Sequence, residues 1–298
     1  MSAVEVGARG VTYAALMVLF GAPLFLVYAE AAHVRHEVRR MEIAAVVAAL
    51  AAGALSVMAR AASIGDESMA HAVAGGTLGA LLLDTLFGHV SMLRLGAVLV
   101  FAALLVRDRG RRDGVQVLTG GVALATLAFT GHAVATPVPE RYVHLASDSV
   151  HLLAAGAWIG ALPPLALMLG REDVPSAAAA DAVERFSRVG VLCVCLLIVT
   201  GLVNASILVA RPAALFSTDY GQVLLLKLTL FASMVVLAAV NRYDFRPKIA
   251  TAPSALRGIA RNAWIEAALG FAIALVVGAL GVMMPASHMA AMPPTHMH

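Results

Sequence analysis

Charge is what this sequence has least of. Of 298 residues only 13% are Asp, Glu, Lys or Arg, about half the share a soluble domain carries. With 61% hydrophobic residues, a water-soluble fold would lack the polar surface to cover its own core. Lipid is therefore the expected solvent, and the mean hydropathy of +0.87 agrees. Cysteine is nearly absent. Cys193 and Cys195 would point about 200° apart on a helix, which rules out an unstrained disulfide or joint chelation; they read as small packing residues. A net charge of +3, with the basic residues confined to short loops, gives no footing for nucleic acid. No nucleophile–base pair, phosphate-binding glycine loop or nucleotide motif is present, which argues against an enzyme. Any transport must then follow a gradient, a potential or ligand exchange.

What the chain does have is long apolar runs. A bilayer core of about 30 Å needs about 20 apolar residues per helix. Runs at roughly 11–29, 42–60, 91–107, 116–134, 145–169, 187–209, 221–241 and 262–284 meet this. The expected fold is all-α, a polytopic transmembrane bundle of eight spanning helices. Val11 to Tyr28, followed by Ala29-Glu30-Ala31, looks like a cleavable signal peptide. It is nevertheless long enough to span, and Arg35, Arg39 and Arg40 follow directly, so it reads as a retained first helix. The segment 70–88 is ambiguous, apolar yet carrying His71, Asp84 and several glycines. The positive-inside rule decides its reading. Eight spans put fifteen of the 21 basic residues in cytoplasmic loops, whereas a ninth would send most of them outside. Both termini are then periplasmic, and 70–88 is an outer-surface or re-entrant element. No sustained repeat is evident. Gly156-Ala-Trp-Ile-Gly160 has the spacing for close helix approach, and Pro163-Pro164 should kink or end the regular part of the fifth helix.

Two regions carry metal-binding chemistry. Residues 1–284 form the membrane domain, and 285–298 form a flexible periplasmic tail containing His288, Met289, Met292, His296, Met297 and His298, with Met283 and Met284 at the helix end before it. Imidazole suits copper, zinc and nickel, whereas thioether selects soft Cu(I). A mixed His/Met tail in an oxidising compartment thus points to capture of copper, as Cu(I) and/or Cu(II), against the plainer reading of a polar terminus. On the fifth helix His144, Asp148 and His151 fall at i, i+4 and i+7 and share a face. His132 ends the preceding helix on the same side. This set reads as a metal site or entry vestibule, or else as a hydrated interfacial cluster in which Asp148 only holds a histidine. Lys227, about two turns into the seventh helix, needs a partner at that depth. Asp148 or Asn204 could supply one, as a structural pair or a charge gate. Glu266 is expected to be a solvated charge at the start of the last helix. The remaining methionines read as apolar filler, and His71 and His89 as secondary ligands at most.

Several runs resemble the bacterial copper resistance protein D (CopD) family. They are His151-Leu-Leu-Ala-Ala-Gly-Ala-Trp-Ile-Gly160, Phe186-Ser-Arg188, Thr200-Gly-Leu-Val-Asn204, Tyr220-Gly-Gln-Val-Leu-Leu-Leu-Lys227 and Asn241-Arg-Tyr243, with Thr85-Leu-Phe-Gly88, Arg94 and Gly131-His132 upstream. The likeness is strongest over 144–245. It implies eight helices, a multi-pass place in the plasma (inner) membrane, and movement of copper between periplasm and cytoplasm. His132, Asp148, His151 and Lys227 fall on characteristic family positions. The tail's reading rests on ligand chemistry alone. The expected partners are the lipid bilayer and a separate periplasmic copper-carrier protein. Two alternatives stay open. One is a haem-bearing electron-transfer protein with His132 and His151 as axial ligands; the other is a copper sensor or assembly factor that does not transport.

Overall fold

The computed structural model describes residues 3–107, 113–209, 211–252 and 254–289, and among them every regular element is helical. Eight helices are long and apolar enough to cross a bilayer: α1 (Ala3–Ala29), α2 (Ala32–Gly65), α3 (Leu86–Val106), α4 (Asp113–Thr130), α5 (Glu140–Leu169), α6 (Ser176–Leu208), α7 (Asp219–Lys248) and α8 (Ser254–Leu280). A helix satisfies its own backbone, which is what lets so apolar a chain sit in lipid. Segment 70–88 does not span. It forms two short helices, Met69–Ala74 and Thr77–Asp84, broken at Gly75–Gly76, where Gly76 takes φ +90°.

Two helices occupy the centre. In α5, 89% of the most apolar stretch is buried and in α1 72%, against 17% in α6 and 6% in α7. They cross where side chains vanish. A Cβ on Gly160 would lie 2.0 Å from the Met17 carbonyl oxygen, and one on Gly21 would lie 2.2 Å from that of Gly156. The Gly156/Gly160 spacing therefore serves this close approach. Just beyond it α5 breaks at Gly160–Ala161 and resumes at Leu162 with prolines in its first turn, as Pro163-Pro164 led us to expect. Cys193 is buried and Cys195 exposed, and neither is bonded.

Around this crossing the chain folds as two similar halves, α1–α4 and α5–α8. In each, the first helix packs on the second and fourth, and the third packs on the fourth. The third helix of each half starts in the same way. Thr85 and Thr218 have φ/ψ of −122/151° and −124/149°, and each accepts a hydrogen bond at 3.0 Å from the amide three residues on, Gly88 or Gly221. Each hydroxyl also donates back to the preceding short helix, to Leu81 at 2.6 Å and Ala214 at 2.7 Å. A Cβ on either glycine would meet a carbonyl oxygen at 2.2 Å. This duplication was not evident in the sequence, because only scattered residues preserve it.

The halves differ in one packing. Helix α2 lies against α3, but α6 and α7 barely touch. Among the described residues they are tied at one end, where Arg242 donates to Ser187 Oγ at 2.6 Å and Arg246 pairs with Glu184 at 3.2 Å. A cleft runs between them over α5 and α8. The tied end is rich in arginine. Arg35 pairs with Asp113 at 2.7 Å, Arg185 with Glu30 at 2.6 Å, and Arg171 with Glu37 and Asp173. The Asp173 hydrogen bond raises the Arg171 pKa, and Arg171 in turn lowers that of Asp173. The opposite end carries His132, His144 and His151, whereas His33 and His36 stand among the arginines.

Two expectations need correction. Helix α8 starts at Ser254, so Glu266 lies about three turns inside it; it is 1% exposed, not a solvated end charge. The helix also stops at Leu280, so Met283 and Met284 lie in the turn beyond it, Met283 packed and Met284 exposed.

Candidate functional site

At the histidine end, α5 presents His144, Asp148 and His151 along one side, each engaged by a different neighbour. His144 is 2% exposed, and its Nδ1 bonds the Thr136 hydroxyl at 2.8 Å. His151 Nδ1 bonds the Thr200 hydroxyl of α6 at 2.9 Å, and Thr200 donates to Leu196 at 2.6 Å. Since that hydroxyl's proton is spent, His151 Nδ1 is the donor and its Nε2 keeps the free lone pair. Asp148 Oδ1 accepts from Asn204 Nδ2 at 3.3 Å. Thr200 and Asn204 are one turn apart on α6, matching the pitch of the stripe they meet.

His132 follows the Gly131 break and does not end α4. It sits in its own 3-10 turn, with Nε2 2.9 Å from the Leu280 carbonyl. Its ring stands edge-on to Tyr220 at 6.2 Å. It is near enough to His144 to act on it electrostatically. Tyr220 and Leu280 also pack on Ala286, at the root of the tail. The tail's first turn, Ala286–Met289, is helical and holds His288 and Met289. Met292, His296, Met297 and His298 lie outside the described residues.

Lys227 of α7 lies close to the stripe. It acts electrostatically on both Asp148 and His151, but among the described residues it makes no hydrogen bond or contact ion pair. Asn204 binds Asp148 rather than Lys227. The structure thus brings the expected residues to one region without folding them around one point. Among the described residues no three His, Cys, Asp or Glu side chains are grouped to hold a single ion. The arrangement is a series of donors, about one turn apart, facing a cation.

Thr136, Thr200 and Tyr220 were not singled out from sequence as site residues. Thr200 and Tyr220 stood in runs that carried the family resemblance, and that was the available signal. Thr136 makes its contact through a loop, which helical periodicity does not reveal.

Two family models match the chain: "Copper resistance protein D-like, N-terminal domain" over residues 1–138 and "Copper resistance protein D" over residues 180–280. The stripe on α5 falls between them. Copper resistance protein D of Pseudomonas syringae pv. tomato is 30% identical over 92% of this chain and 91% of its own length. Copper transport protein CutJ of Bacillus subtilis is 35% identical over 55% of this chain, but only 29% of its own length. Inner membrane protein YebZ of Escherichia coli is 28% identical over 68% and 71%. No solved structure matches. With eight spanning helices and these relatives, the protein is a multi-pass protein of the bacterial inner membrane. A match of this identity over nine-tenths of both chains settles its kinship: the chain belongs to the copper resistance protein D family.

Proposed function

We propose that the protein moves copper across the plasma membrane, receiving it at the histidine end, which faces the periplasm. The observation that carries this reading is the separation of His144, Asp148 and His151 into successive, individually tethered donors. A permeating ion must be held strongly enough to enter and weakly enough to leave. One donor at a time meets that demand, whereas a closed three-ligand cage would trap the ion. Names among the relatives, copper resistance and copper transport, support the choice of cargo. The arginine-rich end supports the orientation through the positive-inside rule.

In this reading the His/Met tail collects copper, as Cu(I) or Cu(II), from a separate periplasmic carrier protein. The tail's root beside Tyr220 and His132 favours delivery to that histidine. His132 and His144 pass the ion to Asp148 and His151. Lys227 acts as a charge gate: its ammonium opposes a cation at His151, and Asp148 offsets part of that charge.

The test is Cu(I) uptake into sealed proteoliposomes containing a luminal Cu(I) indicator. Wild type should take up copper, and a His144→Ala/His151→Ala double variant should lose roughly tenfold or more of the rate, the loss of about 1.4 kcal/mol of binding. Copper retained on the purified wild-type protein with no uptake would sink the permease reading in favour of a sensor or assembly factor.

A further inference from the structure

The half of the bundle away from His132, His144 and His151 holds a polar group that the proposed copper path does not use. Glu266 of α8 is 1% exposed. Its Oε1 accepts from Asn241 Nδ2 at 2.8 Å, and Asn241 Oδ1 accepts from Asn262 Nδ2 at 2.9 Å. This chain of carboxamides fixes the carboxyl's orientation. Asn241 itself is placed by a π-helical turn, Asn241–Phe245, at the end of the regular part of α7; such turns recur at functional sites. The other carboxyl oxygen, Oε2, is buried and has no hydrogen-bond partner among the described residues.

Glu266 is among the residues around a cavity of about 190 Å³ in the cleft between α6 and α7, which has room for several waters. Trp158 lines it too, and its indole N–H is likewise buried without a hydrogen-bond partner among the described residues. Two unmet polar groups on one cavity are costly in lipid unless something small and polar serves them. The titratable groups brought to the cavity are few. Helix α7 contributes Arg242, Tyr243 and Arg246, and α6 contributes Cys195; α5 contributes Trp158 and leucines only. Arg242 is directed to Ser187 and Arg246 to Glu184, and among the described residues neither is paired with Glu266. The only metal-donor atoms in the hydrogen-bonded chain around Glu266 are oxygens, which suit a hard cation; the one soft group on the cavity, Cys195, lies on α6 and takes no part in that chain.

We propose that Glu266 is a proton-exchange site. Its Oε2 binds a proton and releases it, breaking the O–H bond to leave a carboxylate, with the proton passing to water in the cavity and out at the arginine-rich end. No electron is transferred. The purpose of the exchange, to balance charge as copper crosses, rests on the permease reading; the exchange itself does not.

The experiment uses the intact protein in proteoliposomes and a lipid-soluble carbodiimide, which reacts with protonated carboxyls, with adducts located by peptide mass spectrometry. Exposed Glu140 and Glu172 are the internal controls, and a Glu266→Gln variant, which keeps the Asn241 hydrogen bond, checks the assignment. The expected result is an adduct on Glu266 that falls about tenfold per pH unit above its midpoint and is unaffected by Ag(I), a redox-inert stand-in for Cu(I). Absence of an adduct at pH values where Glu140 and Glu172 react would overturn the proposal, as would labelling that does not vary with pH. Suppression by Ag(I) at fixed pH would overturn it in favour of a metal station. Labelling as expected beside failed copper uptake would remove the permease reading and leave the proton site standing.

Discussion

The two halves of the molecule start from the same device and use it for different ends. In both, a threonine caps the third helix, a glycine three residues on lets that helix press against its own approach segment, and a cation follows six residues later. In the first half the cation is Arg94, which donates to Thr126 Oγ1 at 2.9 Å and to the Thr126 carbonyl and Thr130 Oγ1, both at 3.1 Å. Those bonds hold the tightened end of α4. In the second half it is Lys227, which makes no such bond and faces Asp148 and His151. The difference follows from packing. Arg94 is absorbed into structure by the two threonines of α4, whereas Lys227 meets no such acceptor among the described residues and stays available to Asp148 and His151. A duplicated fold can thus keep one copy as frame and open the other for chemistry.

The largest expected effect separates these two cations. Arg94→Met removes three charge-assisted bonds and should cost about 3–5 kcal/mol, read as a large fall in the midpoint of thermal unfolding in detergent. Lys227→Met should change stability by no more than about 1 kcal/mol, since an ammonium without a contact partner is itself costly in a membrane, while altering copper uptake roughly tenfold. Equal destabilisation by the two substitutions would end the distinction between frame and site. Next in size is the central crossing. Gly160→Ala forces a methyl against the Met17 carbonyl and should cost about 1–3 kcal/mol. Gly190→Ala on α6, where nothing lies within 4 Å, should be neutral or stabilising by up to about 1 kcal/mol. The same unfolding midpoints measure both.

Much of this was legible in the chain because lipid enforces it. Eight runs of sufficient length became eight spans, and the arginine asymmetry correctly denied 70–88 a ninth. The stripe on α5 was legible because helical spacing alone aligns residues 144, 148 and 151. Illegible features depend on contacts between distant segments. The apolar run that begins at residue 262 places Glu266 at a helix start, and only the fold shows α8 running from Ser254. Arg94 and Lys227 were both visible as cations, but nothing local says that one meets two threonines of α4 and the other meets none.

A smaller effect probes how the second half uses its cleft. Thr200→Val removes the hydroxyl that orients His151, leaving Nδ1 without its acceptor, and should cost about 1–3 kcal/mol. Copper uptake should fall with it, because the ring is then free to swap which nitrogen it offers. Retention of full uptake by Thr200→Val would mean that His151 acts without being held, and that α6 contributes only a wall.

The smallest effect is also the most even-handed comparison. Thr85→Ala and Thr218→Ala remove equivalent caps, and each should cost about 1 kcal/mol, so unfolding midpoints should shift alike. Uptake should not. Losing the Thr218 cap lets the first turns of α7 drift, and Lys227 sits just beyond those turns, opposite Asp148 and His151. Losing the Thr85 cap disturbs α3, where Arg94 remains pinned by Thr126 and Thr130. Equal stability loss with uptake reduced in Thr218→Ala alone would tie the function to one copy of a shared motif. Equal loss of uptake in both would instead mean that the two halves move as one body, and that the frame is part of the machinery.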